Sequence, residues 1–105
     1  MIESTESTAA IAERLRPLFQ AYSVKRAVLF GSRARGEAVQ ASDVDIVVET
    51  GDQLRGLSFY GLWEEIAEAL QQRIDLFEDS ELAAGSAIRK NVEDEGIVIY
   101  DGKER

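Results

Sequence analysis

The stretch VKRAVLFGSRARGEAVQASDVDIVV, residues 24–48, decides the fold of this chain. Two runs of nearly continuous apolar residues, Val24–Phe30 and Val44–Val48, predict two strands of a covered sheet. The first run ends at a glycine-hinged turn, Gly31-Ser32, and the second begins within Asp43-Val44-Asp45. Because successive side chains of a strand point to opposite faces, we expect both aspartates on one face.

A third carboxylate, Asp75, lies in another short apolar run. Ile74 and Leu76 mark the buried face of that run, which directs Asp75 to the opposite face. If this strand lies beside the one that carries Asp43 and Asp45, the three carboxylates converge. Two carboxylates about 6 Å apart repel each other by roughly 3 kcal/mol at an effective dielectric constant of about 20. Mg²⁺ or Mn²⁺ would relieve that repulsion, so the pattern is typical of a two-metal phosphoryl- or nucleotidyl-transfer site.

Each aspartate also has a purely structural interpretation. Asp43 could belong to a turn, Asp45 to an exposed strand face and Asp75 to an edge strand. Taken singly, these are the commoner cases. The three together, with Gly31-Ser32 separated from Asp43 by ten residues, favour a functional site.

The turn after the first strand has the residues of a phosphate-binding site. Gly31 lets the backbone approach a phosphate, and the Ser32 hydroxyl and neighbouring N–H groups can hydrogen-bond its oxygens. Arg33 and Arg35 add positive charge that complements a triphosphate. A Gly-Ser dipeptide alone marks many ordinary loops. An aromatic group, Phe59, Tyr60 and Trp63, could stack on a base, but its helical spacing favours a core position for Trp63.

The remaining pattern alternates helices and strands, which predicts a small α/β sandwich with one mixed sheet flanked by helices. We expect one domain over residues 1–105, with frayed ends at 1–6 and 101–105. Before the opening stretch we expect a first helix around Ile11–Tyr22, strained by Pro17. After it we expect a loop over Gly51–Gly56 and then a helix capped by Ser58, with a buried side formed by Leu62, Trp63, Ile66 and Leu70. The chain then continues with a strand Ile74–Phe77, a helical region with Leu82, Ile88 and Val92 that breaks near Gly85 and ends at Gly96, and a last strand Ile97–Tyr100.

Composition narrows the chemistry further. The chain has no cysteine and no histidine, so only carboxylates are left for metal or acid–base work. Its net charge of −8 disfavours nucleic acid and suits a basic protein or a small anion held by a local cation. No signal peptide or membrane span is recognisable at the sequence level, so we expect a cytoplasmic protein.

Four segments carry a family resemblance: Gly31–Gly36, Ser42–Val48, Ile74–Leu76 and Glu95–Tyr100. They closely resemble the minimal nucleotidyltransferases of the DNA polymerase β-like nucleotidyltransferase superfamily. The spacing from Gly-Ser to Asp-x-Asp is specific to the superfamily. The Ala-Arg-Gly and Glu-Gly-Ile-x-x-Tyr flanks narrow the resemblance to the minimal group. The resemblance therefore implies the polymerase β-like nucleotidyltransferase fold.

The resemblance also implies roles for single residues. Asp43 and Asp45 would hold two Mg²⁺ ions that bridge the phosphates of ATP, and Asp75 would complete the catalytic metal site and help deprotonate the attacking hydroxyl. Gly31-Ser32 would hold the β- and γ-phosphates, with Arg33 as a helper. The reaction would be in-line attack of an acceptor hydroxyl on the α-phosphate, with release of pyrophosphate.

Larger relatives carry a further domain that binds the acceptor, and no such domain is apparent here. Minimal nucleotidyltransferases of this kind are often encoded beside a small helical HEPN toxin and act as its antitoxin, in some systems by adding AMP to a toxin tyrosine. The resemblance therefore implies a HEPN-type partner. Two alternatives stay open: neutralisation of the partner by binding alone, and nucleotidyl transfer to a small molecule.

Overall fold

A four-stranded mixed sheet lies at the centre of the computed structural model, which describes residues 7–35, 43–51 and 54–102. In chain order the elements are α1 (Thr8–Ala21), β1 (Arg26–Phe30), α2 (Ser32–Arg35), β2 (Val44–Glu49), α3 (Leu57–Leu70), β3 (Ile74–Glu78), a 3₁₀ turn (Asp79–Glu81), α4 (Ala87–Glu95) and β4 (Ile97–Asp101). The expected mixed sheet flanked by helices is confirmed.

The strands lie in the order β3-β2-β1-β4. β1 is antiparallel to both β2 and β4, whereas β2 and β3 are parallel. Parallel strands need a long crossover connection, and α3 supplies it between β2 and β3. This topology places the two strands that carry the aspartates side by side, as the predicted convergence requires.

The two faces of the sheet are covered by different helices. α1 and α3 pack on one face, where the core residues are Ile11, Leu15, Phe19, Leu62, Ile66 and Leu70 from the helices and Ala27, Leu29, Val44, Ile46, Val48, Ile74, Leu76 and Ile99 from the strands. The other face has a smaller cluster of Val28, Phe30 and Val47, which Phe77, Leu82, Ile88 and Val92 cover in part. Asp45 and Asp75 alternate with the core residues and so lie on this second, less covered face.

Local details differ from the sequence expectation. Ser58 is not the N-cap of α3, because the helix begins at Leu57, after the cap residue Gly56 at φ +55°, and has no side-chain cap. A glycine able to adopt that backbone conformation sets the start of the helix instead of the hydroxyl. α1 runs unbroken through Pro17, whose side chain is exposed. Leu82 precedes α4, which starts at the cap residue Ser86.

The ends of the chain are described only in part. β4 extends one residue beyond the predicted strand, to Asp101, which pairs with Arg26, and the Gly102 N–H donates to the Lys25 carbonyl at 2.9 Å. Residues 1–6 and 103–105, for which fraying is expected, lie outside the described residues. No helix in the described ranges has the length and apolar character needed to cross a bilayer.

Candidate active site

Gly31 is the first residue after β1, and two features require glycine there. Its φ is +80°, in the region that L side chains rarely adopt. A Cβ at this position would also overlap Oδ2 of Asp45. The backbone of the turn therefore lies directly against the Asp45 carboxylate, which joins two motifs that are fourteen residues apart in the sequence.

The turn continues into the single-turn helix α2. The Arg35 N–H donates to the Gly31 carbonyl at 3.1 Å, which closes the turn. The side chains of Ser32 and Arg33, both predicted to bind nucleotide phosphates, lie outside the described part of the structure. Arg35 Nη1 donates to Glu95 Oε1 at 2.9 Å, which connects this turn with the C-terminal end of α4.

Asp45 and Asp75 are direct partners in the parallel pairing of β2 with β3. Their carboxyl groups are close enough to share a hydrogen bond. Both side chains are half-buried, and Asp45 also stands opposite Phe30 in the pairing of β1 with β2. The register of two strand pairs therefore places Asp45 between Asp75 and the start of the glycine turn.

This environment shifts the protonation of Asp45. Burial, the largest cause, acts together with the negative charges of Asp75 and Asp43 and the hydrogen bond with Asp75 to raise the pKa of its carboxyl from the usual value of 3.8 to about 6. Arg35 acts in the opposite sense. A proton shared between two carboxylates relieves the same repulsion that a bound cation would relieve.

Asp43 lies just before β2 and on the same side as Asp45. Its Oδ1 is 3.4 Å from Nε of Arg73, an exposed residue just before β3. Within residues 7–35, 43–51 and 54–102, no three carboxylates are arranged as a ready-made metal cage. The structure thus brings Asp45 and Asp75 into contact, while Asp43 acts on Asp45 through its charge and faces Arg73.

A buried carboxylate beyond the predicted site fastens the far ends of the same two strands. Glu78, at the end of β3, accepts a hydrogen bond from Thr50 Oγ1 at 2.5 Å and one from the Ser80 N–H at 3.3 Å. Both Thr50 and Glu78 are buried. Sequence reasoning missed this pair because a Thr and a Glu 28 residues apart give no local signal.

Two aromatic side chains of α3, Phe59 and Trp63, pack against the core on the sheet face opposite Asp45 and Asp75, whereas Tyr60 is exposed. Trp63 packs against the core and donates its indole N–H to the Ile74 carbonyl at 2.8 Å, which confirms its predicted core position. Tyr60 stacks on it with ring centroids 6.0 Å apart, and Phe59 meets it edge-on at 6.2 Å. These rings line a cavity of about 600 Å³ between the start of α3 and the end of β3.

Several known proteins are similar to this chain in sequence or in fold. Protein adenylyltransferase MntA of Thermococcus cleftensis is 33% identical over 87 residues, which are 83% of this chain and 88% of that protein. A chain of a toxin–antitoxin complex crystallised with AMP-PNP superposes with a TM-score of 0.75 at 22% identity, over 89% of this chain and 75% of that chain. A chain from the complex of a tri-AMPylated HEPN toxin of Shewanella oneidensis with an MNT antitoxin superposes with a TM-score of 0.70 at 19% identity, over 92% and 75%.

At these identities the two solved structures show a common fold. The family follows from a separate match: residues 13–105 match the protein family described as polymerase beta, nucleotidyltransferase. That match includes the glycine turn and all three aspartates. The chain therefore belongs to the polymerase beta nucleotidyltransferase family, as the resemblance of its motifs predicts.

Proposed function

We propose that this chain is a protein adenylyltransferase that transfers AMP from ATP to a hydroxyl of a HEPN toxin and thereby acts as its antitoxin. The proposed acceptor is a tyrosine hydroxyl of the toxin. The observation that carries the proposal is the direct pairing of Asp45 with Asp75 beside the glycine turn. The relative from Thermococcus cleftensis bears the name of this activity, and a similar fold occurs beside an AMPylated HEPN toxin. The acidic net charge of −8 suits a basic partner surface.

The chemistry of the donor set fits a hard divalent cation. Only carboxylate oxygens are available, and burial together with like charge makes the anionic form of Asp45 costly unless a cation or proton balances it. Asp43, Asp45 and Asp75 are the proposed ligands of two Mg²⁺ ions, with Mn²⁺ as a possible substitute. Bound there, the ions would neutralise the phosphates of ATP and lower the pKa of the attacking hydroxyl.

The chain's own residues divide the remaining work. Gly31-Ser32 is proposed to hold the β- and γ-phosphates through backbone N–H groups and the hydroxyl, with Arg33 as a helper. Asp75 is proposed to accept the proton of the acceptor hydroxyl. The hydroxyl oxygen then bonds to the α-phosphorus, the bond from that phosphorus to the bridging oxygen of the β-phosphate breaks, and pyrophosphate leaves. ATP supply makes the cytoplasm the proposed location.

The test is the intact mass of a HEPN toxin co-expressed with this protein. We expect AMP-sized increments with the wild type and none with Asp45→Asn or Asp75→Asn, which keep the side-chain shape but remove the charge. Glu49→Gln is the matched control. Glu49 lies on the same strand and the same face as Asp45, four residues further along, and is exposed. Increments that persist in Asp45→Asn would contradict the proposed site.

Two other outcomes separate the alternative functions. An unmodified toxin that forms a stable, inactive complex with both the wild type and Asp45→Asn would indicate neutralisation by binding alone. Modification of an aminoglycoside or another small hydroxylated molecule by the purified protein with MgATP, without any toxin, would indicate a small-molecule nucleotidyltransferase.

A further inference from the structure

The ion pair between Arg35 and Glu95 joins two parts of the chain that are sixty residues apart. The side chains of Arg35 and Glu95 are 37% and 31% exposed, so the pair is partly shielded from solvent. Arg35 closes the glycine turn and acts electrostatically on Asp45. Glu95 is thus connected to the aspartates through a single intervening guanidinium.

The C-terminal end of α4 is held tightly where Glu95 lies. A Cβ on the next residue, Gly96, would stand 2.5 Å from the Val92 carbonyl oxygen and 2.6 Å from Cγ1 of Val28. Only glycine lets the chain leave the helix so close to β1. The position of Glu95 is therefore set by backbone packing against the sheet.

The other end of α4 is fixed by Arg89. Its guanidinium donates to Asp79 Oδ1 at 2.7 Å and to the carbonyls of Asp79 and Leu82 at 2.8 and 3.1 Å. Between the two ends, Ile88 and Val92 pack against the smaller apolar cluster of the sheet. With both ends anchored, α4 holds Glu95 in a fixed position, from which Glu95 can orient its partner Arg35.

We propose that Glu95 is a positioning residue of the nucleotide site, which holds Arg35 so that its guanidinium attracts the phosphates of the nucleotide without collapsing onto Asp45. The inference rests on the proposed function. An arginine next to carboxylates can form a strong ion pair with them, and the hydrogen bond to Glu95 draws this guanidinium towards α4 instead. Glu95 competes for the guanidinium and keeps the carboxylates available. The Ala-Arg-Gly and Glu-Gly motifs, separate in the sequence, then form one structural unit.

The test compares Glu95→Gln with Asp94→Asn. Asp94 is exposed, lies next to Glu95 in α4 and changes the net charge equally when substituted. We expect Glu95→Gln to weaken the binding of AMP-PNP with Mg²⁺, measured by calorimetry without toxin, by about tenfold. The KM for ATP in AMP transfer should rise in parallel while kcat changes less. Asp94→Asn should match the wild type in both measurements.

A charge swap separates positioning from simple stabilisation. In the double variant Arg35→Glu/Glu95→Arg the ion pair can form again, so the melting temperature should recover relative to either single variant. AMP-PNP affinity should stay low, because the positive charge has moved from the turn to α4. Recovery of nucleotide affinity in the double variant, or wild-type affinity in Glu95→Gln, would overturn the inference.

The failure of this inference differs from the failure of the proposed function. If the wild type transfers AMP and Glu95→Gln does so with an unchanged KM, only the role of Glu95 is wrong. If the wild type binds no AMP-PNP and transfers no AMP, the proposed function and the role of Glu95 are both wrong.

Discussion

Asp45 and Asp75 stand opposite each other on neighbouring parallel strands, and the pKa of Asp45 is raised to about 6. Two carboxylates in contact are unfavourable when both are ionised. The fold nevertheless holds them together, because their positions follow from strand register and not from their own attraction. Such an arrangement stores electrostatic repulsion that a proton or a cation can relieve.

The first prediction concerns pH and stability. Because the folded-state pKa of Asp45 lies above its usual value of 3.8, the native state binds this proton more tightly than the unfolded chain does. The resulting stabilisation is complete below 3.8 and is lost as the pH rises through about 6. Without divalent cations, the free energy of unfolding of Asp45→Asn should therefore rise relative to that of the wild type as the pH increases, by about 1–2 kcal/mol, because solvent at this half-exposed carboxyl screens part of the effect. Urea titrations from acidic to slightly alkaline pH measure this difference.

The control for that experiment is Glu49→Gln, which removes an exposed carboxylate from the same strand. Its difference from the wild type should change little with pH across the same interval. If Asp45→Asn also showed a constant difference, the Asp45 carboxyl would not be perturbed by its surroundings.

A second prediction concerns ligands. ATP with Mg²⁺ or Mn²⁺ should raise the melting temperature of the wild type, since a ligand that binds only the folded state stabilises it, by about 2.7 kcal/mol at a hundredfold excess over Kd. Asp45→Asn and Asp75→Asn should lose this shift, and a chelator should abolish it. A wild-type melting temperature that stays constant up to millimolar MgATP would contradict an assembled site.

A third prediction uses two glycines with nearly the same backbone angle. Gly31 has φ +80° and lies against Asp45, whereas Gly85 has φ +81° and open space where a Cβ would stand. Gly85→Ala should cost only the backbone strain of an alanine at positive φ, about 1–2 kcal/mol, and keep AMP transfer. Gly31→Ala should cost more and abolish transfer, because the new methyl group displaces the Asp45 carboxylate.

The comparison is made by chemical denaturation and by intact mass of the co-expressed toxin. Equal losses of stability and of AMP transfer in the two variants would show that contact with Asp45 is irrelevant and that backbone strain alone matters.

A fourth prediction concerns the buried pair at the ends of β2 and β3. Thr50→Val removes the hydroxyl that donates to Glu78 and leaves a buried carboxylate short of a partner. We expect a loss of about 1–3 kcal/mol in free energy of unfolding. Thr50→Ser keeps the hydroxyl and should lose clearly less. Similar losses in the two variants would attribute the effect to packing of the methyl group and not to the hydrogen bond.

The sequence predicted the strands, the glycine turn followed by the aspartates, and the family to which the chain belongs. Alternation of apolar and polar residues was sufficient to place Asp43 and Asp45 on one face, because side-chain direction in a strand is a local property. The prediction from capping preference failed at the start of α3. Ser58 is a good capping residue, but the cap is Gly56, two residues earlier, whose backbone conformation starts the helix at Leu57. Capping preference is weak compared with the backbone path of a loop.

Long-range pairings were beyond the sequence. Thr50 with Glu78 and Arg35 with Glu95 are contacts over 28 and 60 residues, and nothing in either neighbourhood indicates its partner. The raised pKa of Asp45 likewise depends on the burial and register of β2 beside β3. By itself the sequence determined which residues are candidates for the chemistry and which way each side chain points from its strand. Only the tertiary structure decided which strands are neighbours, and hence which charges meet, because strand order follows from the packing of α1, α3 and α4 on the two faces of the sheet.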